Sequence, residues 1–219
     1  MLDVVYRLGP RGENDPLRYS LRSLANLPYG EVHVIGYVPK WLTNVNVLTP
    51  AVSLNRFRNS INNLYQACLQ LAGRRFVLID DDTYILRPIE AVEPLHAGDL
   101  ISHSRRKVGS YGRTIRWTAE WLAAHDIESS LSYELHVPMP IEADACAAAL
   151  EPALSWSRAV QARSVYGNTA RIGGEYSEDV KIPATGQPDG TYLSTSPPTF
   201  KVFRSILASL FPERSVYEQ

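Results

Sequence analysis

The segment Arg74–Leu86, RRFVLIDDDTYIL, runs through an apolar stretch and then onto three consecutive aspartates, Asp80, Asp81 and Asp82. Adjacent carboxylates repel one another, and at least one has its pKa raised unless a cation sits among them. A divalent ion removes that cost. Mg2+ and Mn2+ favour oxygen ligands, and Mg2+ commonly combines one or two carboxylates with substrate phosphates. Extended backbone would turn Asp80 and Asp82 to one side and Asp81 to the other. A metal bound by one carboxylate, with the diphosphate of a nucleotide completing its shell, fits that geometry, and Asp82 and Asp80 are the candidates. The plain alternative is an acidic turn closing a strand.

Other polar residues fall into patterns. Asn55, Arg58, Asn59, Asn62 and Asn63 share one face of the segment 53–73. Asparagine is a poor helix former, so this face reads either as a row of amides for a ligand or as a solvated surface. Arg18 and Arg22 stand one turn apart and offer guanidinium forks to phosphates; surface ion pairing is the competing reading. The segment 104–113, SRRKVGSYGR, reads as a basic loop able to meet DNA, a phosphorylated acceptor or an acidic protein surface. His103 reads as structural. Cys68 and Cys146 sit in amphipathic patterns and read as small buried thiols rather than a disulfide or zinc site.

Elements must hold these groups in place. Residues 2–9 read as a buried strand. Residues 15–28 read as a helix with Asp15 as N-cap and Pro16 in the first turn. A second strand spans 31–39, and a loop with a short strand follows at 41–50. Over 53–73, Leu54, Phe57, Ile61, Leu64, Cys68 and Leu71 keep helical spacing, and Gly73 ends the run. Residues 75–79 form the strand that carries the aspartates. Such alternation predicts an α/β fold with a mainly parallel sheet between helices. Ligands in these folds bind beyond the carboxyl ends of the strands, where the aspartates fall. Further on, 98–113 reads as a strand and the basic loop, 115–125 as a helix, and 132–156 as strand, proline-bounded turn and helix. A loop leading to a short element covers 170–183, a turn-rich stretch covers 183–199, and a closing helix covers 200–211.

The chain has 219 residues, 45% of them hydrophobic, enough for one substantial core. No repeat or linker appears, so a single domain, 1–219, is expected. The formal net charge of -1 argues against a general polyanion-binding surface. No apolar run reaches the roughly 18 residues of a membrane span, and the first residues lack a signal-peptide pattern. A soluble cytoplasmic protein is the expectation.

The stretch LNRFRNSI…RFVLIDDDTYIL resembles the donor-binding core of metal-dependent GT-A glycosyltransferases, in particular the exostosin C-terminal type, on Asn55, Arg56, Arg58, Asn59 and Asp80–Thr83. The blocks DVVY, LRYSLRSL, PKWL and HVPMPIEADACAAAL resemble those of Stealth-type sugar-phosphate transferases. The mixture, with the tail YLSTSPPTF…LFPERSVYE, is similar to small phage-encoded glycosyltransferases. These resemblances imply a GT-A-like (Rossmann-like) domain with a nucleotide-sugar half over 1–100 and an acceptor half over 101–219. They imply a nucleotide-sugar donor, UDP-linked, with Mn2+ or Mg2+ held by Asp82. Asp80 and Asp81 would contact ribose or metal-bound water, Asn55 the nucleoside, and Arg58 and Asn59 the ribose or diphosphate. SEDV (177–180) matches an acidic block that puts Glu178 or Asp179 at the reacting carbon, with Asp179 the preferred residue. Glycines 173 and 174 would let that loop close over a bound sugar. His136 matches the histidine of a Stealth block and belongs on the acceptor side. The acceptor is open: a protein, a glycan or modified DNA.

Stealth proteins usually show NDD where this chain has DDD, which favours sugar transfer over sugar-phosphate transfer. The exostosin likeness implies a retaining reaction. Sugar-1-phosphate transfer and a non-catalytic nucleotide- or glycan-binding module are the alternatives. A haloacid-dehalogenase type of phosphate hydrolysis fits less well, because Tyr84 stands where that motif carries Thr or Val.

Overall fold

A computed structural model describes residues 1–51 and 55–219. The chain runs β1 (Leu2–Leu8), α1 (Asp15–Ser23), β2 (Tyr29–Gly36), β3 (Asn46–Leu48), α2 (Arg56–Gln70), β4 (Arg75–Asp80) and β5 (Thr83–Ile85). It continues through β6 (Leu95–His96), α3 (Leu100–Arg106), α4 (Gly109–Ala123), β7 (Met139–Glu142), α5 (Ala143–Leu154) and α6 (Ala162–Thr169). It ends with β8 (Glu175–Tyr176), β9 (Tyr192–Ser194) and α7 (Pro197–Leu210). Position 53, the expected helix start, and Leu54 lie outside the described residues.

The central sheet has the order β3-β2-β1-β4-β7. The first four strands are parallel, and β7 pairs antiparallel to β4 through Arg75–Glu142 and Leu78–Met139. Strand alternation divides the core into two layers. Val4, Tyr6, Leu8, Val77 and Ile79 pack with Leu17 and Leu21 of α1 and with Leu24 in the turn just after it. Val5, Phe76 and Leu78 face the other way, onto Ile61, Leu64 and Cys68 of α2 and Cys146 and Leu150 of α5. The molecule is thus a single α/β domain whose mainly parallel sheet is flanked by helices. The second half of the chain contributes β7 and α5 to the same core. Both cysteines are buried and free. Among the described residues no helix is long and apolar enough to cross a membrane.

The chain order reverses at β1: β2 and β3 extend the sheet on one side, and β4 returns on the other. The carboxyl ends of β1 and β4 therefore diverge around a crevice, the usual ligand position in open α/β sheets. Gly36, at φ +111, ends β2 beside that crevice, where a Cβ would strike the Leu8 carbonyl.

Three expectations need correction. The segment 98–113 is two helices and a turn, not a strand and a loop. Asp99 caps α3 by accepting from the Ser102 amide at 2.7 Å, and Leu100, His103 and Ser104 are buried at helical spacing. Asp15 is the first residue of α1 rather than its cap; Asn14 takes that place in a left-handed conformation, and its side chain does not cap. Finally, the strand expected before the prolines of 132–156 follows Pro138 and takes in Pro140, which pairs with Val77, as β7, and α6 was not anticipated.

Candidate functional site

Strand β4 ends at Asp80, and Asp81 and Asp82 form the turn into β5. The turn is held from three sides. Ser20 of α1 donates to the Thr83 carbonyl at 2.5 Å, the Thr195 amide donates to the Asp82 carbonyl at 3.0 Å, and Thr83 pairs with Ser194 of β9. Because the backbone turns, strand alternation does not apply to the three side chains. Asp81 and Asp82 converge, and Asp80 goes elsewhere.

Asp80 is gripped by two guanidinium groups. Its Oδ1 accepts from Arg7 Nη2 at 3.1 Å and its Oδ2 from Arg163 Nη2 at 3.0 Å. Arg7 also donates to Ser60 Oγ, and Arg163 to the carbonyls of Leu135 and Val137. Burial opposes ionisation here, but Arg163 and Arg7 outweigh it and hold the carboxyl well below the usual range. Asp80 thus ties β1, β4 and α6 together, and both its oxygens already accept a guanidinium N–H.

Asp81 and Asp82 are each only 4% exposed. One nitrogen, Arg11 Nη1, lies 3.2 Å from Asp81 Oδ1 and 3.3 Å from Asp82 Oδ2. Lys181 Nζ approaches Asp82 at 3.5 Å. Asn14 Nδ2 donates to Asp81 Oδ2 at 2.8 Å, while Asn14 Oδ1 is buried without a hydrogen-bond partner among the described residues. The left-handed backbone of Asn14, φ 48, turns its amide to this carboxylate. Burial pushes Asp81 up to about 6, with Arg11 pulling against it and Asp82 adding to it.

These groups line a cleft of about 620 Å3 at the switch point. Its walls include Leu8–Arg11 at and beyond the end of β1, Gly36 and Tyr37 at the end of β2, Asn59 and Asn63 of α2, and Glu134–His136. Four carboxylates (Asp80, Asp81, Asp82, Glu134) face four cations (Arg7, Arg11, Arg163, Lys181) among the described lining residues. Glu134 is buried and accepts from the Ser164 amide and hydroxyl; burial raises its pKa against the pull of Arg163.

On one wall His136 Nδ1 lies 2.8 Å from Asp179 Oδ1, and Lys107 Nζ lies 3.0 Å from Asp179 Oδ2. Burial opposes the charge on Asp179, yet His136 and Lys107 hold it well below the usual carboxylate range. An ionised carboxylate only accepts, so His136 donates to it from Nδ1. The loop carrying Asp179 is pinned on both sides: the Ser177 amide donates to the His96 carbonyl, and the Ser194 amide to the Val180 carbonyl. Gly174, at φ +118, packs where a Cβ would strike Pro94, so it serves a close approach as well as a turn, whereas Gly173, at φ +67, has open space around it.

The cleft brings together Asp80, Asp81, Asp82, Asn59 and His136, with Asp179 behind His136. Other expected residues stand apart. Glu178 is exposed and is not among the lining residues. Arg18 pairs with Asp15 and Glu218 and lies 3.9 Å over the Trp41 ring. Arg22 forks Glu218 through Nε at 2.8 Å and Nη2 at 2.7 Å. Arg58 donates to the carbonyls of Trp156 and Ser157. The Asn55 side chain caps α2, accepting from the amides of Phe57 and Arg58. Asn55 and Arg58 line a smaller groove with Arg113 and Trp117. His103 is structural as expected: it is buried against Ser132 Oγ, and burial lowers its pKa to about 4.

Sequence reasoning missed Arg7, Arg11, Glu134, Arg163 and Lys181. At the opposite end of the sheet, Asp3, Glu31 and His33 form a separate cluster whose carboxylates are bridged by Arg74. Compared with known proteins, the chain matches no family model and no curated sequence.

Proposed function

We propose that the protein is a metal-dependent glycosyltransferase of the GT-A type, moving a sugar from a nucleoside-diphosphate donor to an acceptor hydroxyl. The observation that carries this reading is the convergence of two buried carboxylates, Asp81 and Asp82, on one point of a cleft at the switch of a parallel sheet. The donor set fits one Mg2+ or Mn2+: two carboxylate oxygens and cleft space for phosphates, beside the Asn14 amide on Asp81, whose buried oxygen has no hydrogen-bond partner among the described residues. When bound, such an ion stabilises the negative charge that develops on the departing diphosphate.

The chain's own groups supply the rest. Asp81 and Asp82 would hold the ion, a shift from the expected pair of Asp82 and Asp80. Arg7 and Arg163 fix Asp80 and leave a positive rim along the cleft. Asp179 orients His136, whose Nε2 is left free to take the acceptor's proton as transfer proceeds. Asp179 is then a positioning residue, and His136 is the group that meets the acceptor. A base at this position favours direct displacement with inversion over the retention that the exostosin likeness implies.

A second reading, sugar-1-phosphate transfer, uses the same dyad to direct a hydroxyl onto phosphorus. Incubation with a panel of nucleotide sugars, Mn2+ and candidate acceptors tests both. Released UDP supports sugar transfer, released UMP supports sugar-phosphate transfer, and no nucleotide release from any donor counts against an enzyme of either class.

A further inference from the structure

We propose that Arg11 occupies the seat of the divalent ion while the cleft is empty, and moves to the donor's diphosphate when the ion arrives. The inference rests on the metal site of the proposed function. Arg11 has an unusual geometry for an arginine on carboxylates. The preferred arrangement is a fork, with two N–H groups on one carboxylate, as Arg22 makes on Glu218. Arg11 instead shares one nitrogen between two carboxylates from different residues, at 3.2 and 3.3 Å. A nitrogen so placed stands where a point charge would.

Its anchoring also differs from that of its neighbours. Arg163 is 4% exposed in its side chain and bound to two carbonyls besides Asp80, and Arg7 is held by Ser60. The Arg11 side chain is 39% exposed, and its only side-chain partners among the described residues are the two aspartates the ion would take. It stands between Gly9 and Gly12, the latter at φ 60, in a loop that lines the cleft. A divalent ion between Asp81 and Asp82 would repel the guanidinium at close range. The diphosphate drawn to that ion offers Arg11 the planar, multidentate partner its fork suits.

Charge balance links the two events. Among the described lining residues four carboxylates and four cations cancel, so an ion alone adds two positive charges to them, and a diphosphate compensates those. Ion and nucleotide therefore assist each other's binding, and Arg11 is the residue through which they do so.

The test is calorimetry of Mn2+ alone, and of UDP at saturating Mn2+, on the wild type, Arg11→Met and Arg11→Lys, with folding checked by thermal melts. Removing the competing charge should tighten Mn2+ binding about tenfold or more in Arg11→Met. The same variant should lose about tenfold in UDP affinity, the size of one charge-assisted hydrogen bond. Arg11→Lys keeps a cation and should bind Mn2+ about as weakly as the wild type. Mn2+ affinity that is unchanged or weaker in Arg11→Met overturns the placeholder role alone. Unchanged UDP affinity in that variant overturns the transfer to phosphate. Failure of all three proteins to bind Mn2+, with or without UDP, overturns the metal reading and this inference together.

Discussion

Asp81→Asn should make the protein more stable, and only where the aspartate would be ionised. Folding raises Asp81 from the ordinary 3.8 to about 6, chiefly by burial. A shift of about two units corresponds to roughly 3 kcal/mol, at about 1.4 kcal/mol per unit. The folded pKa lies above the unfolded one, so the ionised form is disfavoured in the folded state. Stability is therefore undiminished below about pH 4, falls between about pH 4 and 6, and stays lower above that window. The amide keeps the shape and an acceptor for Asn14 while removing the charge. At pH 7.5 in EDTA, Asp81→Asn should gain about 3 kcal/mol, or about 6–12 °C in Tm for a chain of this size. At pH 4 it should melt with the wild type. Thermal melts at both pH values decide the matter. A variant that melts at or below the wild type at pH 7.5, or gains equally at both, refutes the reasoning. Stability gained by deleting a functional charge is a common trade at active sites.

Other perturbations probe the frame of the site. Arg163→Met strips Asp80 Oδ2 and two carbonyls of their donor, and should cost about 3–5 kcal/mol in urea denaturation; a loss under about 1 kcal/mol would contradict the clamp. Asn55→Ala should lower stability by about 1 kcal/mol through loss of the α2 cap and leave UDP affinity unchanged, which competition binding can check. Asp179→Asn should leave UDP binding near native but slow single-turnover transfer by about 10² or more. His136→Gln should do the same, and the double variant should be no slower than either single one. Additive losses would separate the pair.

The sequence made part of this legible. Apolar runs of strand length and the spacing of Ile61, Leu64, Cys68 and Leu71 are local signals, and they place β1, β4 and α2 correctly. The aspartates fall at a strand's carboxyl end for the same reason. Their directions were not readable, because strand alternation stops at Asp80 and a turn governs Asp81 and Asp82. Asn55 stands immediately before a helix, where capping explains it more simply than ligand binding. Arg18 and Arg22 looked available because Glu218, about two hundred residues away, cannot be paired with them by any local pattern. Arg163 lies in a segment without a motif. Its signal is only three-dimensional: a buried guanidinium must find a carboxylate, and Asp80 is the one it finds. In α3, the cap on Asp99 and a buried His103 turned a cationic stretch into a helix, although its charges had suggested a loop.

The central claim is that a divalent ion on Asp81 and Asp82 bridges the protein to a nucleoside diphosphate. It is tested most directly by titrating UDP into the wild type with Mn2+, and again with EDTA, by calorimetry at pH 7.5. Chelation should weaken UDP binding by about tenfold or more, and Asp82→Asn should show the weak affinity under both conditions. Equal affinity with and without the ion in the wild type would contradict it.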